Sequence, residues 1–200
     1  AFITSQSQSL LIHLFTFIYN DTATTEIYTI LFVGSVSVYK RQVQDRVHLV
    51  GDVMYDAALF YEKRAEASSS VLERLDLVPK RYILATVHRA ENTDNPRRLK
   101  SILKALETIS EEVPVVMPMH PRTRAALREG GFVGQATDSI CVTEPVGYLD
   151  MVMLERNAML IATDSGGVQK EAFFYRIPCV TLRDETEWTE LVEIGWNRVI

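Results

Sequence analysis

Residues 82–97 read YILATVHRAENTDNPR, and this stretch decides the fold. Its first six residues form a continuous apolar run, whose length is typical of a buried strand. A polar loop follows, and Asn95-Pro96 predicts the start of a helix because proline is favoured at the first helical position. Apolar side chains then recur on one face of that helix, at Leu99, Ile102, Leu103, Leu106 and Ile109. The stretch is therefore one strand–loop–helix unit.

The same unit repeats through the rest of the chain. Short apolar runs predict further strands at 115–119, 140–143, 159–162 and 179–182. Helical patterns separate them, at 121–129, 148–155, 168–175 and 187–193. Short strands that are apolar on both faces and alternate with helices are typical of a parallel sheet covered on both sides. We therefore predict an α/β fold with a Rossmann-like, doubly wound parallel sheet.

The chain before this region is organised differently. Residues 47–52 predict a strand that ends in a turn, 53–67 predict a helix, and the serine-rich stretch 67–70 predicts a kink or linker. The first forty residues lack the regular alternation of strand and helix patterns, and 19–29 resembles translated adapter sequence. We therefore expect residues 1–41 to be an unrelated or artefactual segment.

The composition bounds the classes of function. The chain has 200 residues, of which 47% are hydrophobic and 24% charged, as in a soluble globular protein with one substantial core. Its formal net charge of −5 provides no broad basic field for nucleic acid or an anionic membrane, so any phosphate needs a local site. The apolar run 10–19 is too short to span a bilayer. We expect a cytoplasmic protein.

Two cysteines, Cys141 and Cys179, lie in apolar runs without metal-ligand spacing and without a disulfide framework. We therefore expect both to be buried thiols in a reducing compartment, and we expect no metal site.

Polar residues follow several of the predicted strands. Ligands of an open parallel sheet bind beyond the carboxyl ends of its strands, so these loops are where chemistry is expected. The four loops with unusual polar content are 88–92, 120–123, 144–148 and 164–167. All four are predicted to open at the same edge of the sheet.

The turn Ser165-Gly166-Gly167 precedes a predicted helix. A helix start offers unpaired backbone N–H groups and a positive dipole end, and glycine lets an anion approach without a Cβ in the way. Glu171 lies on the second turn of that helix, where a carboxylate can accept both hydroxyls of a ribose. The alternatives are a simple N-cap by Asp164 or Ser165 and a solvated Glu171. The combination favours a nucleotide.

Two histidines follow strands at the same predicted edge. His88, with Arg89 and Glu91 beside it, offers a cationic and hydrogen-bonding complement for a diphosphate. His120 is either a site residue or the end of a strand before the helix-starting Pro121. Tyr148 is expected to pack in the core rather than to stack on a base. The charge cluster 183–187 is expected to be a solvated turn, although it too lies at the ligand edge.

Five ordered motifs together resemble the non-hydrolysing UDP-N-acetylglucosamine 2-epimerases. The motifs are TVHRAEN at 86–92, MHPRT at 119–123, EPVGY at 144–148, TDSGGVQKE at 163–171 and LRDETE at 182–187. The resemblance implies the C-terminal half of a two-domain fold of the glycosyltransferase-B type, which binds most of the UDP. It implies conversion of UDP-N-acetylglucosamine to UDP-N-acetylmannosamine by elimination and re-addition of UDP. It implies no metal and no NAD, and the chain has no Gly-x-Gly-x-x-Gly fingerprint.

The resemblance also assigns roles to residues. His88 would act catalytically, lying at the diphosphate and aiding its departure. Ser165, Gly166 and Gly167 would hold phosphate oxygens, and Glu171 would bind the ribose. Supporting positions in UDP binding would fall to Arg89, Glu91 and His120.

The domain boundaries follow from the same comparison. Residues 42–67 are expected to be the end of an N-terminal domain with a connecting helix, and 68–200 a UDP-binding domain truncated at its C-terminus. The carboxylates that move the C2 proton belong to the N-terminal domain of the family, so we expect this chain alone to be inactive. Members of the family are usually homodimers.

Three alternatives stay open. Many bacterial members have Thr-Glu-Arg-Pro where this chain has Thr186-Glu187-Trp188-Thr189, and relatives with the Thr-Glu-Trp form include epimerases of a UDP-2,3-diacetamido uronic acid. A UDP-sugar transferase of the glycosyltransferase-B type would use a similar glycine turn and acid. A non-catalytic UDP-sugar-binding module is the third alternative.

Overall fold

The computed structural model describes residues 51–130 and 139–200. The predictions for segment 1–41, for the apolar run 10–19 and for the strand at 47–50 lie outside the described residues. Within the described part of the chain, no helix is long and apolar enough to cross a membrane.

The described residues form helices and a six-stranded sheet. The helices are α1 (Val53–Ser68), α2 (Val71–Arg74), α3 (Ala90–Thr93), α4 (Pro96–Ser110), α5 (Pro121–Glu129), α6 (Tyr148–Asn157), α7 (Gly166–Phe174) and α8 (Thr189–Glu193). The strands are β1 (Ile83–Thr86), β2 (Val115–Pro118), β3 (Cys141–Thr143), β4 (Leu160–Thr163), β5 (Cys179–Thr181) and β6 (Asn197–Val199).

The sheet has the strand order β3-β2-β1-β4-β5-β6, and every neighbouring pair is parallel. The chain first places β2 and β3 on one side of β1, then returns to place β4 on the other side. This reversal between β1 and β4 is the topological switch point, where open α/β sheets bind their ligands. The predicted doubly wound parallel sheet is confirmed.

Two apolar layers cover the two faces of the sheet. Alternate strand residues point to opposite faces, so Ile83 and Ala85 belong to one layer and Leu84 to the other. The first layer is completed by α4 and α5, and the second by α2, α6 and α7. Both faces of β1 and β4 are therefore buried, which explains why their sequences are continuous apolar runs.

The predicted elements agree with the observed ones to within about two residues at their ends. Asn95 caps α4 as predicted, because its side chain accepts hydrogen bonds from the N–H groups of Arg97 and Arg98, both at 3.2 Å. The sequence did not predict α2, α3 or β6. Strand β6 begins with the polar Asn197, which is buried because its amide donates to Gln169 Oε1 at 3.2 Å, so no apolar run marks the strand.

One prediction about the cysteines is wrong. Cys179 is buried in β5, inside the sheet, whereas Cys141 is exposed. Cys141 lies in β3, the edge strand, where a sheet is covered less completely.

Leucine truncations should separate the core from the surface. Leu103 on α4 is 0% exposed, so Leu103→Ala should lower the free energy of unfolding by about 2–5 kcal/mol because it leaves a cavity. Leu59 on α1 is 48% exposed, and Leu59→Ala should cost less than about 1 kcal/mol. Urea unfolding followed by circular dichroism measures both, and equal losses would contradict the assignment of the core.

Candidate functional site

The loops after β1 and β4 begin side by side at the switch point. Thr86 pairs with Thr163 in the sheet, and their hydroxyl oxygens lie 2.6 Å apart. One residue further on, the N–H of Asp164 donates to Thr86 O at 3.2 Å. Two of the four loops singled out in the sequence, 88–92 and 164–167, are therefore neighbours in space.

Asp164 fastens these two loops together. Its side chain is fully buried and accepts from the N–H groups of His88 at 2.9 Å and Arg89 at 2.8 Å. The side-chain amide of Asn92 donates to the same carboxylate at 2.9 Å. The sequence interpretation considered Asp164 only as a helix cap, but Ser165 caps α7 and Asp164 turns to the β1 loop instead. A sequence signal for this role exists: Asp164 lies between a buried strand and the N-cap serine, so its carboxylate is not needed as the helix cap.

His88 lies between Asp164 and His120. Its Nδ1 is 3.2 Å from Asp164 Oδ1, and its ring centroid is 5.1 Å from that of His120. Burial lowers the pKa of His88, as do the nearby positive charges of His120, Arg89 and Arg122, while the Asp164 carboxylate opposes them. The imidazole of His88 is therefore uncharged at neutral pH.

His120 has two interactions that fix its position. It is exposed and caps α5, because its Nδ1 accepts from the N–H of Arg122 at 3.1 Å. It is also the ring neighbour of His88. His120 thus starts a helix and lies beside the β1 loop, and its role as a site residue stays a prediction.

Among the described residues, the glycine turn has two backbone N–H groups without an acceptor. Ser165 Oγ accepts from the N–H of Val168 at 3.4 Å, and the N–H of Gln169 bonds to Ser165 O. The first N–H groups of a helix have no acceptor within it, which leaves those of Gly166 and Gly167. They lie at the start of α7, where the helix dipole favours an anion.

The Glu187 side chain fills the space beside Gly166 that a Cβ would take. A Cβ there would collide with the carboxylate of Glu187, whose Cδ would lie 3.0 Å away. At Gly167 a Cβ would meet only Ser165 Oγ at 3.8 Å and Met54 Cε at 3.9 Å. These are ordinary contacts, so a side chain at 167 is restricted less than one at 166.

Arginines and carboxylates form an ion-pair network beside the glycine turn. Arg183 donates to Glu91 at 2.7 Å and to Glu187 at 2.6 Å, and Arg89 lies 3.9 Å from Glu187. Partial burial works against the ionised form of Glu187, but hydrogen bonds and the Arg183 charge hold its pKa below the ordinary value. The prediction of a solvated turn at 183–187 is wrong for Arg183, whose side chain is only 13% exposed.

Glu171 is half-buried rather than a solvated helix charge. It accepts a hydrogen bond from Tyr148 Oη at 3.3 Å. Burial raises the pKa of Glu171, and the Tyr148 hydrogen bond opposes the rise. Tyr148 is 45% exposed, so the prediction that it packs in the core is wrong. The loop 144–148 therefore contributes Tyr148 to the surroundings of Glu171.

A second carboxyl group lies behind Glu171. Glu155 on α6 is 1% exposed, and neither carboxyl oxygen has a hydrogen-bond partner among the described residues. Burial, with the neighbouring Glu171 charge, raises the pKa of Glu155 well above its ordinary value. No local pattern marks Glu155 as buried, because a glutamate followed by Arg156 near a helix end resembles a solvated position.

A buried lysine ties α7 to the start of α1. Lys170 forms an ion pair with Asp52 and lies 4.6 Å from the centre of the Trp188 ring. Trp188 in turn donates from its indole N–H to Gly166 O at 2.8 Å. The start of α7 is thus held by Trp188 through a hydrogen bond and, one turn further on, by Asp52 through its ion pair with Lys170.

Comparison with known proteins gives this geometry a family. A family model described as UDP-N-acetylglucosamine 2-epimerase matches residues 35–200. The chain is similar to a UDP-N-acetylglucosamine 2-epimerase homolog of Methanococcus maripaludis, with 43% identity over 90% of this chain and 52% of that protein. It is also similar to the UDP-2,3-diacetamido-2,3-dideoxy-D-glucuronate 2-epimerase of Pseudomonas aeruginosa, with 50% identity over 76% of this chain and 40% of that protein.

A solved structure supports the fold assignment. The Methanocaldococcus jannaschii UDP-GlcNAc 2-epimerase, in complex with UDP-GlcNAc and UDP, superposes with a TM-score of 0.74 and 41% identity. The match covers 82% of this chain and 46% of that one. This chain spans about half the length of the curated relatives that it matches. The predicted Rossmann-like half of a glycosyltransferase-B type fold is confirmed.

The pKa of His88 should depend on Asp164. Asp164→Asn removes the negative charge that favours the imidazolium, so the pKa of His88 should fall further below its ordinary value. An NMR titration of the imidazole C–H resonances measures the shift. The exposed Asp76→Asn serves as the control, and an unchanged His88 pKa in folded Asp164→Asn would show that this carboxylate has no electrostatic effect on the ring.

Glu155→Gln should change how stability depends on pH. Because the folded-state pKa of Glu155 is raised, the wild type loses stability as pH rises above the unfolded-state value, and the variant does not. Between pH 5 and about pH 7, the variant should gain at least about 1 kcal/mol relative to the wild type. Urea unfolding at both pH values measures the difference in free energy of unfolding between the variant and the wild type, with the exposed Glu112→Gln as control. If that difference is the same at both pH values, Glu155 is ionised in the folded chain.

Proposed function

The chain belongs to the UDP-N-acetylglucosamine 2-epimerase family, and on that premise we propose that it forms the UDP-binding half of an enzyme that converts UDP-N-acetylglucosamine to UDP-N-acetylmannosamine. The observation that carries the proposal is the join made by Asp164. It brings the loop of His88 and Arg89 against the glycine turn of α7, at the switch point of the sheet.

In this proposal the diphosphate lies between the β1 loop and the start of α7. Gly166 and Gly167 contribute N–H donors, and Ser165 contributes its hydroxyl. Arg89 contributes a planar guanidinium that matches phosphate oxygens. His88 is uncharged in the nucleotide-free chain, but a phosphate beside it favours the imidazolium. His88 then carries a positive charge where the leaving diphosphate develops its negative charge.

The ribose would lie along α7. Glu171 is on the second turn, and its half-buried carboxylate can accept two neighbouring hydroxyls. Tyr148 holds that carboxylate from the other side, at 3.3 Å. Glu91 and His120 support the site, Glu91 by binding Arg183 and His120 by contacting the His88 ring.

The reaction is an elimination followed by an addition. A base takes the proton from C2 of the sugar, the C–H electron pair becomes the C1–C2 double bond, and the C1–O bond breaks. The electron pair of that bond leaves with UDP, giving a 2-acetamidoglucal. UDP then adds back to C1 while C2 receives a proton on its opposite face. Among the described residues, His88, Arg89 and the glycine turn stabilise UDP as the leaving group.

A second substrate is favoured by a specific observation. The Pseudomonas aeruginosa relative, 50% identical, is by its name an epimerase of UDP-2,3-diacetamido-2,3-dideoxy-D-glucuronate. In this chain Trp188 occupies the position where the more common motif has an arginine. We keep this sugar as the alternative substrate. We also propose that the protein works as a cytoplasmic homodimer and binds no nucleic acid, in line with its net charge of −5. The domain boundaries at about residues 41 and 67 stay predictions.

Titration of UDP tests the nucleotide site. Glu171→Ala removes the acceptor of two ribose hydroxyls, so the Kd for UDP should rise about 10- to 100-fold. Isothermal calorimetry on the 200-residue chain measures the Kd, and circular dichroism shows whether each variant is folded. The exposed Glu193→Ala is the matched control and should bind UDP as the wild type does.

Either of two results would contradict the proposal. An unchanged Kd in folded Glu171→Ala would show that the ribose does not bind to Glu171 on α7. Failure of the folded wild type to bind UDP at all would show that the described domain does not bind the nucleotide.

A further inference from the structure

An anionic side chain of the protein itself lies at the start of α7. Segment 183–188 crosses this helix end, and the Glu187 carboxylate packs so closely on Gly166 that any Cβ there would collide with it. Next to it, the Trp188 indole N–H donates to Gly166 O at 2.8 Å. The Glu187 carboxylate therefore lies where the helix dipole and the N–H groups of the glycine turn favour negative charge.

The same carboxylate also engages the cations of the site. Glu187 accepts from Arg183 at 2.6 Å and lies 3.9 Å from Arg89. Gly166 and Arg89 are two of the groups that the proposed function assigns to the diphosphate. One carboxylate thus lies against Gly166 and near the Arg89 guanidinium.

We propose that Glu187 is an autoinhibitory residue, which occupies the diphosphate position in the nucleotide-free chain and is displaced when UDP binds. This inference rests on the proposed function, because it needs the nucleotide at the glycine turn. A carboxylate and a diphosphate at one helix end repel each other, and Gly166 leaves no side chain to keep them apart. Displacement of Glu187 also frees Arg89 and one half of the Arg183 fork for the incoming phosphates.

The surroundings of Glu187 show what would have to move. Asp184 pairs with Arg98 at 2.7 Å, and Thr186 donates to Gln169 at 2.6 Å, so segment 183–188 is held on both sides of the exposed Glu185. The side chain of Glu187 is 42% exposed. It can rotate into solvent without moving these two anchors.

The competing hypothesis makes the opposite prediction. If Glu187 only orients Arg89 and Arg183 for the substrate, its neutralisation disorders both guanidinium groups and weakens binding. If Glu187 competes with the diphosphate, its neutralisation strengthens binding. The sign of the change in affinity therefore separates the two roles.

Inorganic pyrophosphate is the probe for this test, since it has neither base nor ribose and does not need Glu171. We expect Glu187→Gln to bind pyrophosphate roughly 5- to 20-fold more tightly than the wild type by calorimetry, at fixed pH and ionic strength. Glu185→Gln removes the same charge from the same segment, and we expect it to leave the affinity unchanged. UDP is titrated into all three chains in parallel.

The outcomes distinguish the two proposals. Equal or weaker pyrophosphate binding by Glu187→Gln, in a chain that still binds UDP, overturns autoinhibition and leaves the proposed function standing. Absence of UDP and pyrophosphate binding in both the wild type and Glu187→Gln overturns both. Equal tightening in Glu185→Gln also overturns autoinhibition, because the effect would then be one of overall charge.

Tryptophan fluorescence supplies a readout of the displacement itself. The chain has two tryptophans, so Trp196→Phe leaves Trp188 as the only indole. Saturating pyrophosphate should shift the Trp188 emission, because its hydrogen bond to Gly166 lies beside the displaced carboxylate. Glu187→Gln in the same background should show a large part of that shift before ligand is added. An emission spectrum that pyrophosphate leaves unchanged overturns the inference.

Discussion

The carboxylate of Asp164 is completely buried at the point where the winding of the sheet reverses. A carboxylate there is tolerated because three donors surround it: the backbone N–H groups of His88 and Arg89 and the side-chain amide of Asn92. Removal of the carboxylate oxygens would leave those donors buried without an acceptor. The conformation of the β1 loop thus depends on one residue of the β4 loop, and the position of His88 and Arg89 relative to the glycine turn depends on that contact.

The amino-acid sequence predicts the central strands because burial on both faces leaves a continuous apolar run in β1 and β4. It also predicts the start of α4, because Asn95 and Pro96 are typical of the first positions of a helix. The features it does not predict depend on contacts between distant segments. Asn197 is buried with its amide bonded to Gln169, and Glu155 is buried beside Glu171. Neither environment has a local periodicity that a pattern can detect.

The site residues divide in the same way. The position of His88 after β1 and of the glycines after β4 follows from topology, because the ends of parallel strands share one edge. The partner of each residue does not follow. Arg183 is separated from Glu91 by most of the domain in sequence, yet their side chains lie 2.7 Å apart. Charges that look like a solvated turn along the chain become a network only when the sheet brings three loops together.

Helix α7 combines two electrostatic environments within a short distance. Its first residues attract an anion, and Glu171 on the second turn lies about 7 Å further along the axis at 1.5 Å per residue. That separation suits a molecule with a diphosphate at one end and vicinal hydroxyls at the other. Glu171 accepts two hydroxyls best when it is ionised, although a second carboxyl group lies behind it. Burial raises the pKa of Glu155 well above its ordinary value, so ionisation of this pair is favoured at Glu171, the group that faces Tyr148 and the solvent.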